Sequence, residues 1–349
     1  MSALRSMRLV PALVLVLVLG AAPGHAAGQV ARGPRFALHA LGVLGGDVDT
    51  NLSCYLLGEP GQAPTVMVDG GSVVDGLLKW KQASGALQPE ATWGQRFRVA
   101  AEALRPVQAA CITHAHMDHV GGFIQKTTLD LFLSFQGRKP LEIIALPVTI
   151  ASLRDHLLRP PLWVDFTKLP ADNPALKLAP LSPGAIRAAG PFTVQTIAVN
   201  HPDGGAAFLF ERDGFAYLHV GDTGRCAALW KPVRPLFKEG RLRAITLECS
   251  WPAASEKLAV TTGHLTPASF VLELNELAGV ARELPPADKL TREQIRDLAR
   301  KLARAFQDCP VIVTHIKAAD HDQTVEELEE LRRVGLNLII PEQGKSYAF

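Results

Sequence analysis

Two β-sheets packed face to face, with helices around them in one domain, is the fold class the sequence predicts. Three observations carry it. Short apolar runs of strand length recur along the chain, several of them ending in a His, Asp or Glu. Between them lie helical stretches that open on Thr-led capping patterns and stop at Gly or Pro. No linker, low-complexity segment or short repeat divides the chain, so the sheets share one fold. With 349 residues, 48% of them hydrophobic, a large core is available.

The first stretch stands apart from that fold. Arg5 and Arg8 precede an apolar run from Leu9 to Leu19, and Gly24-His25-Ala26 is small at the two positions a signal peptidase reads. Residues 1–26 are therefore expected to be a signal peptide, and the run is too short for a membrane span. Residues 27–349 are expected to be a single domain in the periplasm or secreted, free of the membrane after cleavage. Cleavage takes two basic residues and no acid from the chain's 36 basic and 34 acidic, leaving 34 against 34. A neutral chain gives no electrostatic reason to grip a long polyanion, so no nucleic-acid partner is expected. The five cysteines, Cys54, Cys111, Cys226, Cys249 and Cys309, are odd in number and irregular in spacing, which excludes a disulfide framework and leaves room for a single disulfide whose pair the sequence does not choose.

The elements follow in order. Phe36 to Leu57 reads as strand, turn, strand; Thr65 to Val68 as a short strand ending in Asp69-Gly70-Gly71; Trp80 to Leu104 as mostly helical with a loop near Pro89. Val107 to Ile112 is a buried strand, Leu141 to Ala145 another, and Thr149 to Leu158 a helix closed by Pro160-Pro161. Leu162 to Phe166 is an aromatic loop, and Pro170 to Pro183 is expected to run over the surface. Phe192 to Val199 is a strand; Ala206 to Glu211 and Phe215 to Val220 form a hairpin; Leu242 to Cys249 is a buried strand. Thr266-Pro267 opens a helix that runs to Leu277, and Thr291 caps one that runs to Phe306. Val311 to Val313 is a strand, a capping box at Thr324-Val325-Glu326-Glu327 opens the last helix, and Asn337 to Ile340 is a final strand.

The chemistry is concentrated in Thr113-His114-Ala115-His116-Met117-Asp118-His119-Val120-Gly121-Gly122, between a strand and a helix, where α/β sheets place their sites. Three histidines and a carboxylate within six residues are a metal-site signal, and imidazole with carboxylate but no thiolate suits zinc, manganese or iron. Further polar residues end strands: His201, Asp222, Glu248 and His315. His264 lies in a Gly-His-Leu-Thr-Pro loop before a helix. Such strand ends converge on one sheet edge. His114, His116 and His201 are expected to hold a first metal, Asp118, His119 and His315 a second, with Asp222 bridging through its two oxygens. His264, competing with His315 for the last ligand place, is assigned to proton transfer, with Glu248 orienting it or pairing with a nearby Arg. Asp69 is either an acceptor for a ligand histidine or an acid in an ordinary turn. His39, His156, His219 and His321 have no such company and read as structural or solvated, with contact to substrate as the alternative for His156.

The His-x-His-x-Asp-His pattern resembles that of the metallo-β-lactamase-fold hydrolases. That resemblance implies an α+β, four-layer αββα sandwich: two mixed sheets flanked by helices, with one or two metals at the sheet edge. Further blocks sharpen it: Asn51 to Leu57, Leu153-Arg154-Asp155-His156 with Trp163 to Phe166, Ala207-Phe208-Leu209, Gly221-Asp222-Thr223-Gly224, Gly263 to Pro267 and Thr314-His315-Ile316-Lys317. In their order they resemble the class II cyclic-nucleotide phosphodiesterases. Two departures stand out: Arg225 where that family often has Pro, and no Asn-Ser-Pro after Phe123. The resemblance implies hydrolysis of a small 3',5'-cyclic nucleotide, cyclic AMP or cyclic GMP, with two divalent ions, zinc first among them. A metal-bridging hydroxide would attack phosphorus and His264 would protonate the leaving 3' oxygen, giving the 5'-phosphate. Trp163 and Phe166 read as core or rim residues, with stacking on the base as the alternative. A homodimer is the only protein partner expected. The alternative activity is that of another hydrolase on this fold: a nuclease, lactonase or lactamase.

Overall fold

The computed structural model describes residues 33–349; the signal-peptide expectation, with Arg5, Arg8 and His25, lies outside them. In chain order the elements are β1 (Ala37–Gly42), β2 (Leu44–Gly45), β3 (Cys54–Gly58), β4 (Val66–Val68), α1 (Val73–Ala83), α2 (Trp93–Leu104), β5 (Ala109–Cys111) and α3 (Met117–Phe135). Next come β6 (Leu141–Ala145), α4 (Pro147–Ser152), β7 (Leu176–Pro180), β8 (Ile186–Ala189), β9 (Phe192–Val199), β10 (Gly205–Arg212) and β11 (Phe215–Val220). The rest is α5 (Trp230–Lys238), β12 (Leu242–Glu248), α6 (Glu256–Thr262), α7 (Pro267–Ala278), α8 (Arg292–Ala305), β13 (Val311–Thr314), β14 (Ile316–Lys317), α9 (His321–Arg333), β15 (Leu338–Ile339) and β16 (Ser346–Ala348).

Two seven-stranded sheets result, ordered β16-β1-β3-β4-β5-β6-β7 and β15-β13-β12-β11-β10-β9-β8. Each is mixed. In the first, β4 to β7 run parallel while β1 pairs antiparallel with β3 and β16. In the second, β8 to β11 are antiparallel, and β11, β12, β13 and β15 are parallel.

Side-chain alternation explains why the central strands are apolar throughout. Along β10, Phe208 and Phe210 point between the sheets with Phe36, Tyr55, Phe192 and Tyr217, while Ala207 and Leu209 face α5 and α7 to α9. Along β3, Tyr55 and Leu57 face the second sheet, whereas Cys54 and Leu56 face α1, α2 and α3. Three apolar layers, one between the sheets and one under each helical face, make the four-layer αββα sandwich. Cys54, Cys111, Cys249 and Cys309 are buried in these layers, and all five cysteines are free.

Three expectations need correction. The stretch 170–183 is not all surface: β7 extends the first sheet, with Leu176 and Ala179 buried. Pairing with β6 satisfies its backbone, and an edge strand tolerates Pro180. Thr324 does not open the last helix. The chain leaves β14 through one 3₁₀ turn, so α9 begins at His321, and Thr324 sits inside it with its hydroxyl buried and unpartnered. The helix expected over 149–158 is α4 followed by a π-helical turn at Leu153–Leu157. Helix α5 is absent from the sequence reading: Trp230, Val233 and Leu236 recur at helical spacing on its buried face, but Pro235 inside it argues locally against a helix.

Candidate metal centre

The site lies where one end of each sheet meets the other. The backbone N–H of Ala206, opening β10, donates to the carbonyl of Thr113, just past β5, at 3.0 Å. His114 and His116 follow β5, and Asp118 and His119 occupy the first turn of α3. His201 follows β9 and Asp222 follows β11; Glu248 closes β12, and His315 joins β13 to β14. Because β11, β12 and β13 are parallel neighbours in register, their carboxyl ends present Asp222, Glu248 and His315 side by side. His264 arrives from the other direction, between α6 and α7, on the loop that Gly263 turns at φ +71°.

The seven residues proposed from sequence as ligands are brought together. Ligand atoms of His114, His116 and His201 lie within 4.8 Å of one another, as do those of Asp118, His119 and His315. Asp222 sits between the two groups. Its Oδ1 is 3.3 Å from His119 Nε2, and its Oδ2 is 3.1 Å from His315 Nε2 and 3.8 Å from His114 Nε2. His264 is close as well, its Nδ1 3.8 Å from Asp222 Oδ2.

What orients these rings was mostly invisible in the sequence. His119 Nδ1 donates to Asp69 at 2.8 Å, so Asp69 is the acceptor of the two readings offered for it. His201 Nδ1 donates to the carbonyl of Gly263 at 3.0 Å. Thr113 Oγ1 donates to Asp69 and accepts from His114 Nδ1 at 3.1 Å, and Ser250 Oγ donates to Glu248 and accepts from His315 Nδ1 at 3.0 Å. Four imidazoles thus spend their outer N–H on a fixed acceptor, which leaves the inner Nε2 as a bare lone pair, the tautomer a cation requires. Thr113 and Ser250 were not singled out beforehand; a hydroxyl beside a ligand carries no spacing signal. Asp69 and His315 both adopt left-handed backbone, φ +55° and +61°, a strain concentrated where the ligand geometry is set.

The donor set fits divalent metal. His114 Nε2, His119 Nε2 and Asp222 Oδ1 are buried and have no hydrogen-bond partner, an expensive arrangement unless a cation engages them. Protonation points the same way. Burial, then the neighbouring His119, holds His114 well below the ordinary histidine range. Burial also lowers His201 and His315. Burial works against the charge on Asp222, yet His315 and His119 outweigh it and keep that carboxylate ionised. His119 differs: burial resists a proton on it, but Asp222 and Asp69 on either side raise it, so without a cation the ring holds on Nε2 a proton that a metal would have to displace.

Glu248 is fully buried and does not pair with an arginine: its Oε1 accepts from His264 Nδ1 at 2.8 Å. The backbone N–H groups of Thr223 and Leu265 and the Ser250 hydroxyl complete its shell. Phe166 is buried in the layer under the first sheet and is unable to stack on a ligand. Trp163 packs on that same layer and donates its indole N–H to Thr127 at 2.9 Å. Arg225, the departure noted above, bonds the buried Glu273 of α7 at 2.7 Å, tying the Asp222 loop to the helix that follows His264.

The paired sheets, their helical layers and this donor set are those of the metallo-β-lactamase fold. Comparison with known proteins agrees. Residues 48–125 match the family model of the metallo-beta-lactamase superfamily, and residues 219–344 match that of the class-II cAMP phosphodiesterases. A 3',5'-cyclic-nucleotide phosphodiesterase of Aliivibrio fischeri is 27% identical over 333 residues, covering 88% of this chain and 91% of its own. The crystal structure of unliganded yeast PDE1 superposes with a TM-score of 0.70 at 21% identity, over 90% of this chain and 99% of that one. YhfI of Bacillus subtilis, a metallo-beta-lactamase fold protein, gives 0.56 at 17% identity, over 91% and 100%. Over residues 219–344, and along most of its length against the Aliivibrio fischeri protein, the chain is similar to the class-II cyclic-nucleotide phosphodiesterases.

Proposed function

We propose that the protein hydrolyses 3',5'-cyclic nucleotides, cyclic AMP or cyclic GMP, to nucleoside 5'-phosphates, using two divalent ions, zinc by preference. One observation carries the reading: a single buried carboxylate, Asp222, stands between two imidazole-rich donor groups, with the Glu248–His264 pair alongside. His114, His116 and His201 would hold one ion, Asp118, His119 and His315 the other, and Asp222 would serve both. Such ions supply positive charge for phosphate oxygens and a water acidic enough to react at neutral pH. Five imidazoles, two carboxylates and no thiolate support zinc without excluding manganese from the test.

The chain's own residues supply the rest. Burial disfavours a proton on His264, but the Glu248 carboxylate overrides it and holds the ring above the ordinary histidine range. His264 is thereby a cation in reserve, with Nδ1 fixed on Glu248 and its other nitrogen free to give a proton to the leaving 3' oxygen. Glu248 positions the ring; it does not touch substrate. Export of the chain after removal of residues 1–26 is part of the same proposal and rests on the charged start and the small residues before the cleavage point.

The decisive experiment is a hydrolysis panel with added zinc or manganese: cyclic AMP, cyclic GMP, an RNA and a β-lactam. Cyclic nucleotides alone should be cleaved; turnover of RNA or lactam in their place would assign a different hydrolase. In the same assay His264→Ala should keep its metal and lose on the order of a hundredfold or more in rate. Loss of metal instead would mean that His264, not His315, is the ligand.

A further inference from the structure

A cavity of about 250 Å³ shares His114 and His116 with the metal centre and extends away from it. Its far wall is α4 and the π-helical turn after it, through Thr149, Ser152, His156 and Leu157; Asp203 and Gly204 close the other side. The extra residue per turn in a π-helix re-aims the side chains that follow, and here His156 and Leu157 come to the mouth.

Thr149 is the unusual member. It is 2% exposed, and its hydroxyl is buried without a hydrogen-bond partner. A helical threonine ordinarily returns its hydroxyl to the carbonyl three or four residues back. Thr149 makes no such return, to Leu146 or to Ala145. Ser152, one turn on, does make the usual return, to Val148 at 3.2 Å. An unpaired buried hydroxyl is a standing cost, tolerated where a ligand completes it.

We infer that Thr149 is a further substrate-binding residue that hydrogen-bonds the nucleoside part of the substrate while the phosphate sits at the metal centre. The inference rests on the phosphodiesterase reading above. The cavity has room for the part of a nucleotide that projects from a phosphate held next to His114 and His116. A hydroxyl rotates, donating to a carbonyl or accepting from an amine, so the same Thr149 serves an adenine or a guanine nucleoside. His156 is exposed at the mouth, solvated as the sequence reading had it and placed on the rim of this cavity.

The test compares wild type, Thr149→Val and Thr149→Ser. Valine keeps the shape and removes the hydroxyl. KM for cyclic AMP and cyclic GMP should rise about tenfold with kcat little changed, the worth of one hydrogen bond, and serine should restore it. Stability separates this from a structural role: Thr149→Val should melt no lower than wild type, since the change removes an unsatisfied hydroxyl. An unchanged KM in Thr149→Val overturns the inference, as does a lower melting temperature with no rescue by serine. Wild type that cleaves bis(p-nitrophenyl) phosphate but no cyclic nucleotide fails differently, by removing the phosphodiesterase reading on which this one stands.

Discussion

His219 is a buried histidine outside the metal centre, and it ties stability to pH. Its Nδ1 lies 3.0 Å from the Tyr217 hydroxyl, and its ring meets Tyr55 edge-on at 5.2 Å, between the sheets. Burial depresses its pKa from 6.5 to about 4. In the unfolded chain it titrates at its ordinary value, so between 6.5 and 4 the unfolded state binds more protons than the folded one. The stability it confers is therefore present above pH 6.5 and drains away as pH falls towards 4, by about 3 kcal/mol at most. His219→Gln should flatten the fall in unfolding free energy across that window. Chelator-treated wild type and variant compared by urea titration at pH 7 and pH 4.5 will show it; identical slopes would rule it out. Residue by residue, the sequence showed the donors and concealed what holds them. His-x-His-x-Asp-His is a local pattern, and His201, Asp222 and His315 each follow an apolar run. The acceptors Asp69, Thr113, Ser250 and the Gly263 carbonyl take their meaning only from tertiary proximity.

Among the elements, the shortest pair has the most exacting task. Strands β2 and β14 contribute two residues each and form their own small ladder, Ile316 opposite Leu44 and Lys317 opposite Gly45. That ladder brings the Gly45 backbone flat against the His315 imidazole: a Cβ on Gly45 would fall 2.4 Å from the ring. Gly45→Ala is compatible with the backbone there, so its whole effect should fall on His315. Metal content should drop toward one ion per chain and turnover by about tenfold or more, with the circular dichroism spectrum unchanged. Metal analysis of the purified variant checks it, and a full complement would show the ring is free to move aside. Elements with strong local signals were legible: Thr291 caps α8 with its capping box, and Thr266 with Gly279 brackets α7. Others were decided by partners. Nothing local marks Leu176 to Pro180 as a strand until β6 lies beside it, and α9 starts a turn before Thr324 because β14 delivers the chain there.

For the molecule as a whole, the centre draws on both sheets: the first supplies His114, His116, Asp118 and His119, the second His201, Asp222 and His315. A ligand that binds only the folded state stabilises it by mass action, about 2.7 kcal/mol at a hundredfold excess over Kd. Stripping metal with a chelator should therefore lower the melting temperature by several degrees, with recovery on adding zinc. Asp222→Ala, lacking the carboxylate that lies between the two donor groups, should show little of either response in differential scanning fluorimetry. Chelator-insensitive melting of wild type would leave the donor cluster without a cation to explain it.

Asp118 and His315, 3.1 Å apart in space, are 197 positions apart along the chain. An ion gripping both closes a very long loop, and restraint of that kind grows with loop length. With all five thiols unpaired, coordination would be the molecule's crosslink, fastening one half to the other as a clasp does. When it is undone, the rim joining the halves should breathe first in amide exchange, while the three apolar layers stay shut.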